Sequence, residues 1–378
     1  MNGLHGALLV ASLAACGSVT IAPGDASVAD DAPAPVDASA AGMPDASPAD
    51  ASAASAIAQV AASFGGFFVR FDDGRLFCRT VPTDGLVSLC DLAPRTTSGA
   101  WRELDLPPVQ QVAIDRTHAC VVLREGTVRC WGTLSREGRD VAVAAPTEVA
   151  GLADVVALSL RSGGACALDR RGAVWCWGLD PLGAGTPPSA DRPLRVELPQ
   201  AARSLGGGEA RACAGLVDGQ AWCWGAPIWD HLHSRGPTRD VTLESYTVVD
   251  VAEAADCGLD GEGRASCRGN IGVVPTDRWA VITRLTTPLR AVSVGQYSAC
   301  GVTTEATVDC WGFNGFGMLG APRAINFNLR VGELRDVVQV FAFPVGACAL
   351  RRTGALVCWG ARLDSLAAMP PHEVELPR

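Results

Sequence analysis

The chain has 378 residues, 48% of them hydrophobic and 6% aromatic, and its 31 basic residues, all arginine, face 40 acidic ones for a net charge of −9. An acidic chain without a basic patch argues against nucleic-acid binding. Its 15 cysteines raise the question of metal binding, redox chemistry or disulfides.

Residues 1–16 predict a lipoprotein-type signal peptide. The apolar stretch LHGALLVASLAA at 4–15 is too short to span a bilayer, and LAAC at Leu13–Cys16 resembles the lipobox of bacterial lipoprotein signals. We expect Cys16 to be lipidated and to become the first residue after processing. An ordinary secretory signal is the alternative, and either signal would export the chain.

Residues 17–56 predict a disordered tether. Ala, Asp, Ser and Pro dominate this segment, and Asp-Ala-Ser occurs four times. The segment lacks the apolar residues needed for a core. Its six aspartates account for −6 of the net charge of −9, which leaves −3 for the rest of the chain.

From residue 57 onward, pairs of cysteines recur with a spacing of ten residues. The six pairs are Cys120 and Cys130, Cys166 and Cys176, Cys213 and Cys223, Cys257 and Cys267, Cys300 and Cys310, and Cys348 and Cys358. A degenerate first copy has Cys78 at the second position and Phe68 at the first. The chain therefore contains seven units with a period of 43 to 52 residues, in the range of propeller blades and some helical arrays.

The segment between paired cysteines predicts a β-hairpin. In ACVVLREGTVRCWG, two β-branched runs flank the loop Arg124-Glu125-Gly126, whose last residue suits a left-handed bulge. Counting outward from this loop places Cys120 opposite Cys130, within disulfide reach. Glycine recurs at this loop position except in the sixth unit, which has Ala306.

This geometry favours structural disulfides over metal or redox chemistry. The C-x-x-C pairs typical of zinc and thioredoxin-like sites are missing from the sequence. Without Cys16, 14 cysteines remain, enough for the six hairpin disulfides and a seventh between Cys78 and Cys90. Export to an oxidising compartment would keep these bonds intact.

The units are joined by short β-rich segments such as Leu289–Gly295 and Leu334–Ala342. Since no stretch suited to paired helices recurs, a closed ring of sheets is favoured over a helical solenoid. The final HEVELP, at 372–377, is similar to LRVELP at 194–199, which precedes a new unit. We expect this last strand to close the ring in a blade shared with residues 57–62.

The fourth unit contains the insertion WDHLHSRG, at 229–236. Aromatic and cationic side chains of this kind are enriched at binding hot spots. The candidate partner contacts are Trp229, His231, His233, Arg235, Arg239 and Tyr246. Asp230, His231 and His233 form an alternative metal site, but a solvated loop is favoured over it, and we expect no metal and no cofactor. The hydrolase, Walker and zinc-protease signatures are missing from the sequence.

The unit from Leu289 to Gly320 resembles the repeat of the regulator of chromosome condensation family. It has a Val-rich strand, a Gly, a hairpin ending at Trp-Gly and an N-x-x-G-x-L-G tail. The matching positions are Trp311, Gly312, Asn314, Gly317, Leu319 and Gly320. Gly151 to Gly178 matches the first part. The fifth unit departs from the pattern with Arg268 in place of Trp, and the first with Arg79-Thr80.

The resemblance covers nearly all of residues 57–378 and implies an all-β fold, a seven-bladed β-propeller with one cysteine-stapled hairpin per blade. WD40 and kelch propellers are the runners-up. The recurrent Trp131, Trp177, Trp224, Trp311 and Trp359 are then expected to serve packing rather than ligand stacking.

We expect a monomeric, membrane-anchored lipoprotein at the bacterial cell envelope, periplasmic or on the cell surface, or else a secreted protein. It would act as a binding scaffold for a protein or glycan through its propeller loops, without catalysis. The resemblance also implies two alternatives, a secreted inhibitor of an extracellular enzyme and a nucleotide exchange factor, the latter disfavoured by export. A hydrolase-type or other enzyme with its site on the loop at 225–249 is the remaining alternative.

Overall fold

Each of the seven sequence units forms one four-stranded antiparallel sheet in the computed structural model, which confirms the seven-bladed propeller. The structure describes residues 56–63, 66–80, 89–90, 100–136, 139–161, 163–208, 211–226, 234–252, 255–271, 278–283, 285–321, 329–361 and 368–377. The predicted signal peptide, with Cys16, and the tether up to residue 55 lie outside them.

Strand order within every blade follows the chain, from the innermost to the outermost strand. Blades 1 to 3 comprise β1 (Ile57–Ser63), β2 (Gly66–Phe71), β3 (Leu76–Arg79), β4 (Trp101–Glu103), β5 (Val109–Ile114), β6 (His118–Leu123), β7 (Val128–Arg136), β8 (Arg139–Glu148), β9 (Val155–Arg161), β10 (Gly164–Asp169), β11 (Val174–Gly178) and β12 (Ser189–Arg195). Blades 4 and 5 comprise β13 (Ala202–Gly208), β14 (Arg211–Leu216), β15 (Ala221–Gly225), β16 (Arg235–Arg239), β17 (Val248–Val251), β18 (Ala255–Leu259), β19 (Ala265–Gly269) and β20 (Ala280–Val281). Blades 6 and 7 comprise β21 (Leu289–Val294), β22 (Ser298–Thr303), β23 (Val308–Gly312), β24 (Leu329–Arg330), β25 (Val337–Phe343), β26 (Gly346–Arg351), β27 (Leu356–Ala361) and β28 (Ala368–Glu373). A 3-10 turn at Leu243–Ser245 lies between blades 4 and 5.

The two middle strands of blades 2 to 7 form the predicted stapled hairpins. Cys120 stands opposite Cys130 in the β6–β7 register, as the loop count requires, and the other five pairs repeat this arrangement. All six disulfides are present, with Cα–Cα distances of 4.0–4.1 Å. The bonded pairs, in chain order, are Cys120–Cys130, Cys166–Cys176, Cys213–Cys223, Cys257–Cys267, Cys300–Cys310 and Cys348–Cys358. The hairpin prediction is therefore confirmed.

The seventh expected disulfide, between Cys78 and Cys90, is not formed in the structure, although both side chains are buried. Phe68 occupies the place opposite Cys78 where the other blades carry a cysteine. The sulfur of Cys90 lies instead beside Gly66, where a Cβ atom on Gly66 would come within 3.2 Å of it. Gly66 is two residues from Phe68, about 6.6 Å along a strand. Cys90 and Cys78 therefore lie beside different positions of β2. Both cysteines belong to one apolar cluster without bridging.

Five of the hairpin turns, those of blades 1, 2, 3, 5 and 6, also contact the next blade, because their Gly or Ala carbonyl accepts an amide of its first strand. Gly126 has a φ of +87°, and a Cβ atom there would lie 2.8 Å from the Cα of Asp154. The amide of Val155, which begins blade 3, donates to the carbonyl of Gly126 at 3.0 Å. Glycine at this loop position thus provides both the left-handed backbone and the close approach. Ala306 adopts the same conformation, with a φ of +59°.

Since consecutive strands are antiparallel, the connections between strands 1 and 2 and between strands 3 and 4 emerge on one face of the ring. We call this the loop face, and the side carrying the hairpin turns the turn face. The insertion of the fourth unit lies between β15 and β16, so its ends are on the loop face.

The predicted shared closing blade is wrong. The final unit supplies all four strands of blade 7, and β28 pairs with β27 rather than with β1. Because blade 1 also has four strands of its own, neither sheet has a place for a borrowed strand. The ring closes by packing instead: β1 lies against β25, Phe67 meets Phe343 edge-on with ring centroids 6.5 Å apart, and the indole N–H of Trp101 donates to the carbonyl of Glu375 at 2.7 Å.

Candidate functional site

The recurrent tryptophans are buried between blades. Trp177, Trp224, Trp311 and Trp359 are each at most 5% exposed, and each lies in the same apolar cluster as the disulfide of the preceding blade. The indole of Trp311, for example, lies with its Nε1 3.4 Å from Cys267 Sγ. Trp131 packs in the cluster of Cys78 and Cys90. The prediction that these rings serve packing is confirmed.

The interface between blades 4 and 5 is built differently. Arg268 occupies the tryptophan position of blade 5, opposite Asp256 in the β18–β19 register. Its side chain points toward blade 4 and is buried, as is Asp256. A cation therefore sits where five of the other six interfaces place an indole, and Arg268 and Cys223 of the Cys213–Cys223 disulfide both line the pocket beside it.

Two aspartates neutralise this cation together with a second arginine from blade 4. Arg268 donates through Nε to Asp256 Oδ2 and through Nη2 to Asp240 Oδ2, both at 2.8 Å. Arg211 donates through Nη1 to the same Asp256 oxygen at 2.5 Å and through Nη2 to the same Asp240 oxygen at 2.9 Å. We call Arg211, Asp240, Asp256 and Arg268 the arginine–aspartate network.

Thr242 and Trp279 hold the outer side of the network. The Thr242 hydroxyl accepts from Arg268 Nη1 and from Trp279 Nε1, each at 3.0 Å, and donates to Asp240 Oδ1 at 2.5 Å. The Arg268 guanidinium also lies 4.9 Å from the centroid of the Trp279 ring, a cation–π contact. Arg268 is thus fixed on every side by groups that favour its charge.

The network shifts the pKa values of Asp240 and Arg268 in the direction that favours their charged forms. Burial alone would raise the pKa of Asp240, but Arg268, Thr242 and Arg211 outweigh burial and hold that pKa below its usual value. Burial would likewise lower the pKa of Arg268, whereas Asp256 and Asp240 raise it above its usual value. Both shifts arise from charges and hydrogen-bond donors across one blade interface.

A pocket of about 280 Å³ opens beside the network, along β16. Its walls include the buried Arg211 and Arg268 and the exposed Arg235 and Arg239, with Asp240 as the acidic residue among its lining side chains. Arg239 pairs with Glu244 through both Nε and Nη2, at 2.9 and 2.8 Å. This pairing raises the pKa of Arg239 and lowers that of Glu244.

The structure brings two of the six predicted contact residues together. Arg235 and Arg239 both line the pocket. Tyr246 lies on the blade 5 side, stacked on Trp279 with ring centroids 4.5 Å apart and covering Gly258. Burial raises its pKa. Trp229, His231 and His233 lie outside the described residues, as does Asp230 of the alternative metal site.

One described end of the insertion, Ser234, is anchored to blade 3, and the other continues from β15 of blade 4. The Ser234 hydroxyl donates to Asp180 Oδ2 at 2.5 Å and accepts the amide of Ala184 at 3.1 Å. Gly225 pairs with Arg235 at the end of the β15–β16 ladder. The segment between Ala226 and Ser234 therefore starts and ends at fixed points beside the pocket.

Sequence reasoning missed Arg211, Asp240, Asp256 and Thr242. The signal in the sequence that could have led to them is Arg268, because an arginine at a buried tryptophan position requires carboxylate partners. The sequence does not say which of the 40 acidic residues provide them. Asp256 comes from β18 of the same blade, Asp240 from the connection that follows β16, and Arg211 from β14 of blade 4.

The described residues contain no group of three or more His, Cys, Asp and Glu side chains placed to hold a metal ion. His118 contacts Asp115, with Nδ1 3.0 Å from Oδ2; the imidazole is 1% exposed and the carboxyl group 19% exposed. A search of the same residues for a helix long and apolar enough to cross a membrane finds none.

No protein-family model matches the sequence, and no curated protein matches it. Among solved structures, Prp20p from Saccharomyces cerevisiae, the yeast RCC1, aligns with a TM-score of 0.62 at 15% identity over 75% of this chain and 80% of its own. Human WBSCR16 aligns with a TM-score of 0.61 at 18% identity over 79% and 88%. The chain has the fold of these RCC1-like seven-bladed propellers. PorZ, a surface component of the type-IX secretion system of Porphyromonas gingivalis, aligns with a TM-score of 0.51 at 12% identity over 86% of this chain and 39% of its own.

Proposed function

We propose that this chain is an exported lipoprotein that binds a protein partner at the cell envelope. Cys16 is its membrane anchor and residues 17–56 are its spacer. The partner contacts the loop face and rim of blade 4, where Gly225 and Arg235, on either side of the insertion, line the arginine-rich pocket. The propeller is a rigid support for this contact, without a catalytic role.

The observation that carries the proposal is a pocket that holds four arginines and is lined by Gly225 and Arg235, which flank the insertion. Arg211 and Arg268 are fixed by buried carboxylates, while Arg235 and Arg239 are exposed on the adjacent edge strand. Binding sites commonly place exposed loop residues on a rigid scaffold. Arginine and tryptophan, both present here, are enriched at binding hot spots.

The six disulfides support the exported location, because such bonds persist in oxidising compartments and are rare in the cytosol. Protein binding is also stated for one neighbour, since the published description of Prp20p names its binding to Gsp1p and histones. From this neighbour the proposal takes only the use of a propeller surface to bind protein.

The anchor is tested by replacing Cys16 with serine in the full chain. We expect the wild-type protein to fractionate with membranes and to incorporate labelled fatty acid, and the variant to lose both properties. Fatty-acid labelling that persists in the variant would contradict Cys16 as the lipidated residue.

The binding role is tested by crosslinking and affinity capture from the native envelope fraction, with the oxidised full chain as bait. One variant carries Trp229→Ala, His231→Ala and Arg235→Ala. The matched control carries Glu125→Ala, Arg170→Ala and Arg171→Ala, which change exposed side chains on the turn face.

We expect a protein captured by the wild type and the control to be lost with the blade 4 variant. Capture by all three baits would place the contact elsewhere on the ring. If no bait captures a protein, the scaffold role is contradicted, and assays of hydrolase activity on the loop at 225–249 follow.

A further inference from the structure

One disulfide differs from the others in how it meets solvent. Cys223 is 9% exposed and Cys358 is 7% exposed, whereas the remaining ten of the twelve bonded cysteines are at most 1% exposed. Cys223 also lines the pocket of about 280 Å³ beside β16. A small molecule that enters this pocket therefore reaches the Cys213–Cys223 disulfide from the side of Cys223.

The access to Cys223 follows from the arginine at the tryptophan position of blade 5. At four other interfaces, an indole lies in one apolar cluster with both cysteines of the preceding blade. Each of these indoles stands opposite an alanine across the strand register, in the pairs Ala165–Trp177, Ala212–Trp224, Ala299–Trp311 and Ala347–Trp359. Blade 5 has Asp256 opposite Arg268 instead. Because this guanidinium is directed to carboxylates, Cys223 keeps an accessible edge beside it.

The apolar cluster around Cys213–Cys223 has no fully buried aromatic ring. Its aromatic members, Tyr246 and Trp279, pack against it but are only partly buried. The Cys348–Cys358 disulfide faces blade 1, which likewise has no tryptophan at the equivalent position. Three buried phenylalanines of blade 1 lie in its cluster instead, Phe67, Phe71 and Phe77. Cys348–Cys358 is therefore a matched comparison, similar in exposure but packed against aromatic rings.

Arg211 contacts the accessible sulfur directly. Its Nη2 donates to Cys223 Sγ at 3.0 Å and to Asp240 Oδ2 at 2.9 Å. A guanidinium beside a cysteine sulfur stabilises the thiolate form. A disulfide whose leaving sulfur is a stabilised thiolate exchanges faster with other thiols. Access and chemistry thus both single out this bond.

The size of the pocket indicates the class of thiol. A volume of about 280 Å³ lies at the lower limit of small-molecule sites. Such a space admits a small thiol but not a folded domain, because the Cys223 side chain forms part of its wall. A low-molecular-weight thiol is therefore the reductant that fits.

We propose that the Cys213–Cys223 disulfide is a site of thiol–disulfide exchange with a low-molecular-weight thiol that enters through the pocket. The thiolate attacks Cys223 Sγ and forms a mixed disulfide. The Cys213–Cys223 bond breaks, and its electron pair leaves on Cys213 Sγ, which takes up a proton. A second thiolate attacks the small-molecule sulfur, a free small-molecule disulfide forms, and the electron pair leaves on Cys223 Sγ, beside Arg211. Two small thiols are oxidised and one protein disulfide is reduced.

The exchange goes beyond the proposed binding role and does not depend on it. The Cys213–Cys223 bond links β14 to β15, and β15 leads into the insertion of blade 4. Its reduction would remove a covalent link beneath the proposed contact. Because exchange is measured on the isolated chain, its failure would leave partner capture untouched, and failure of capture would leave the exchange untouched.

The test follows each disulfide separately while the oxidised full chain is incubated with 2-mercaptoethanol. Samples are quenched with acid, free thiols are alkylated, and the state of each cysteine is read by peptide mass spectrometry. One variant carries Asp256→Ala and Arg268→Trp, which give blade 5 the pairing of the other blades and leave Arg211 with Asp240. The control carries the same two changes, Asp260→Ala and Arg264→Trp, at an exposed ion pair on the turn face of blade 5.

We expect Cys213–Cys223 to be reduced at least about tenfold faster than the other five disulfides, with the mixed disulfide trapped on Cys223. The Asp256→Ala, Arg268→Trp variant should slow this bond to the rate of the other hairpins, and the control should leave it fast. Circular dichroism checks that each protein keeps its fold during the reaction.

Several results would overturn the proposal. Reduction of all six bonds together in the wild type would show that the thiol enters only by unfolding. Equal rates for Cys213–Cys223 and Cys348–Cys358 would remove the role of the pocket, and a mixed disulfide on Cys213 would contradict the entry path. An unchanged rate in the folded blade 5 variant would contradict the missing indole as the cause. If that variant loses its fold, the wild-type order of reduction and the site of the mixed disulfide still decide.

Discussion

Two neighbouring blade interfaces solve the same packing problem with opposite chemistry. Between blades 5 and 6, Trp311 is fully buried in one cluster with the Cys257–Cys267 disulfide. Between blades 4 and 5, Arg268 occupies the equivalent position beside the Cys213–Cys223 disulfide and pairs with Asp256 and Asp240. The backbone position thus accepts an indole or a guanidinium, but the guanidinium requires two carboxylates and a second arginine.

The two interfaces also differ in how much they contribute to stability. An indole between blades contributes through buried apolar area. A buried ion-pair network gains little over an apolar replacement, because desolvation offsets most of the attraction. An apolar interface would therefore hold the two blades together about as well as the network does, and we relate the network to the pocket that it lines.

The largest expected effect is the loss of all six disulfides. Each closes a short hairpin loop and is expected to contribute about 2–3 kcal/mol to the free energy of unfolding. Their combined contribution is comparable to the whole stability of a typical domain, about 5–15 kcal/mol. A strong reductant should therefore unfold the ring, as followed by circular dichroism. An unchanged melting temperature with every thiol alkylated would contradict this.

The next largest effects are single substitutions at the two interfaces, which lower stability for different physical reasons. Asp256→Ala leaves two buried guanidinium groups with one carboxylate and should cost about 3–5 kcal/mol. Trp311→Ala should cost a similar amount, about 3–5 kcal/mol, through a cavity. Urea denaturation measures both variants.

A second substitution separates the effect of unpaired charge from the effect of lost side-chain volume. Adding Arg268→Ala to Asp256→Ala should recover part of the loss, because one arginine and one aspartate then remain as a pair. A loss in the double variant as large as the sum of the two single losses would show that packing alone decides the interface.

Acid should weaken the charged interface selectively. The pKa of Asp240 is held below its usual value by Arg268, Thr242 and Arg211 despite burial. The stabilisation that ionised Asp240 contributes is thus present above the pKa of aspartate in the unfolded state, about 3.9. It is lost as the pH falls through the lower pKa of Asp240 in the folded state. We expect the melting-temperature gap between wild type and Asp240→Asn to narrow below about pH 4. A gap that stays constant down to pH 2 would argue against an ionised Asp240.

The smallest expected effects come from the hairpin turns, which share a left-handed residue at the same loop position. Gly354, with a φ of +84°, has open space around its missing Cβ, so Gly354→Ala tests conformation alone and should cost about 1 kcal/mol. Ala306→Gly, at a φ of +59°, should stabilise by up to about 1 kcal/mol. Thermal unfolding measures both changes, and the same sign for both would refute the left-handed turn as their cause.

The sequence alone was sufficient for the repeat count, the hairpins and the six disulfides. Cys120 and Cys130 lie ten residues apart across one turn, so the loop length determines their register. The recurrent Trp-Gly after the second cysteine likewise indicated a packing position in five of the seven units. The hairpin and disulfide contacts are local along the chain.

The tertiary structure alone decided what happens between units. Arg211 contacts Asp256, 45 residues away in the next blade, and Trp101 contacts Glu375 where the first and last blades meet. The wrong predictions, the Cys78–Cys90 bond and the shared closing blade, also depended on contacts outside a single hairpin. Local spacing constrains neighbours through the turn geometry, whereas residues in different blades meet only because the packed ring brings them together.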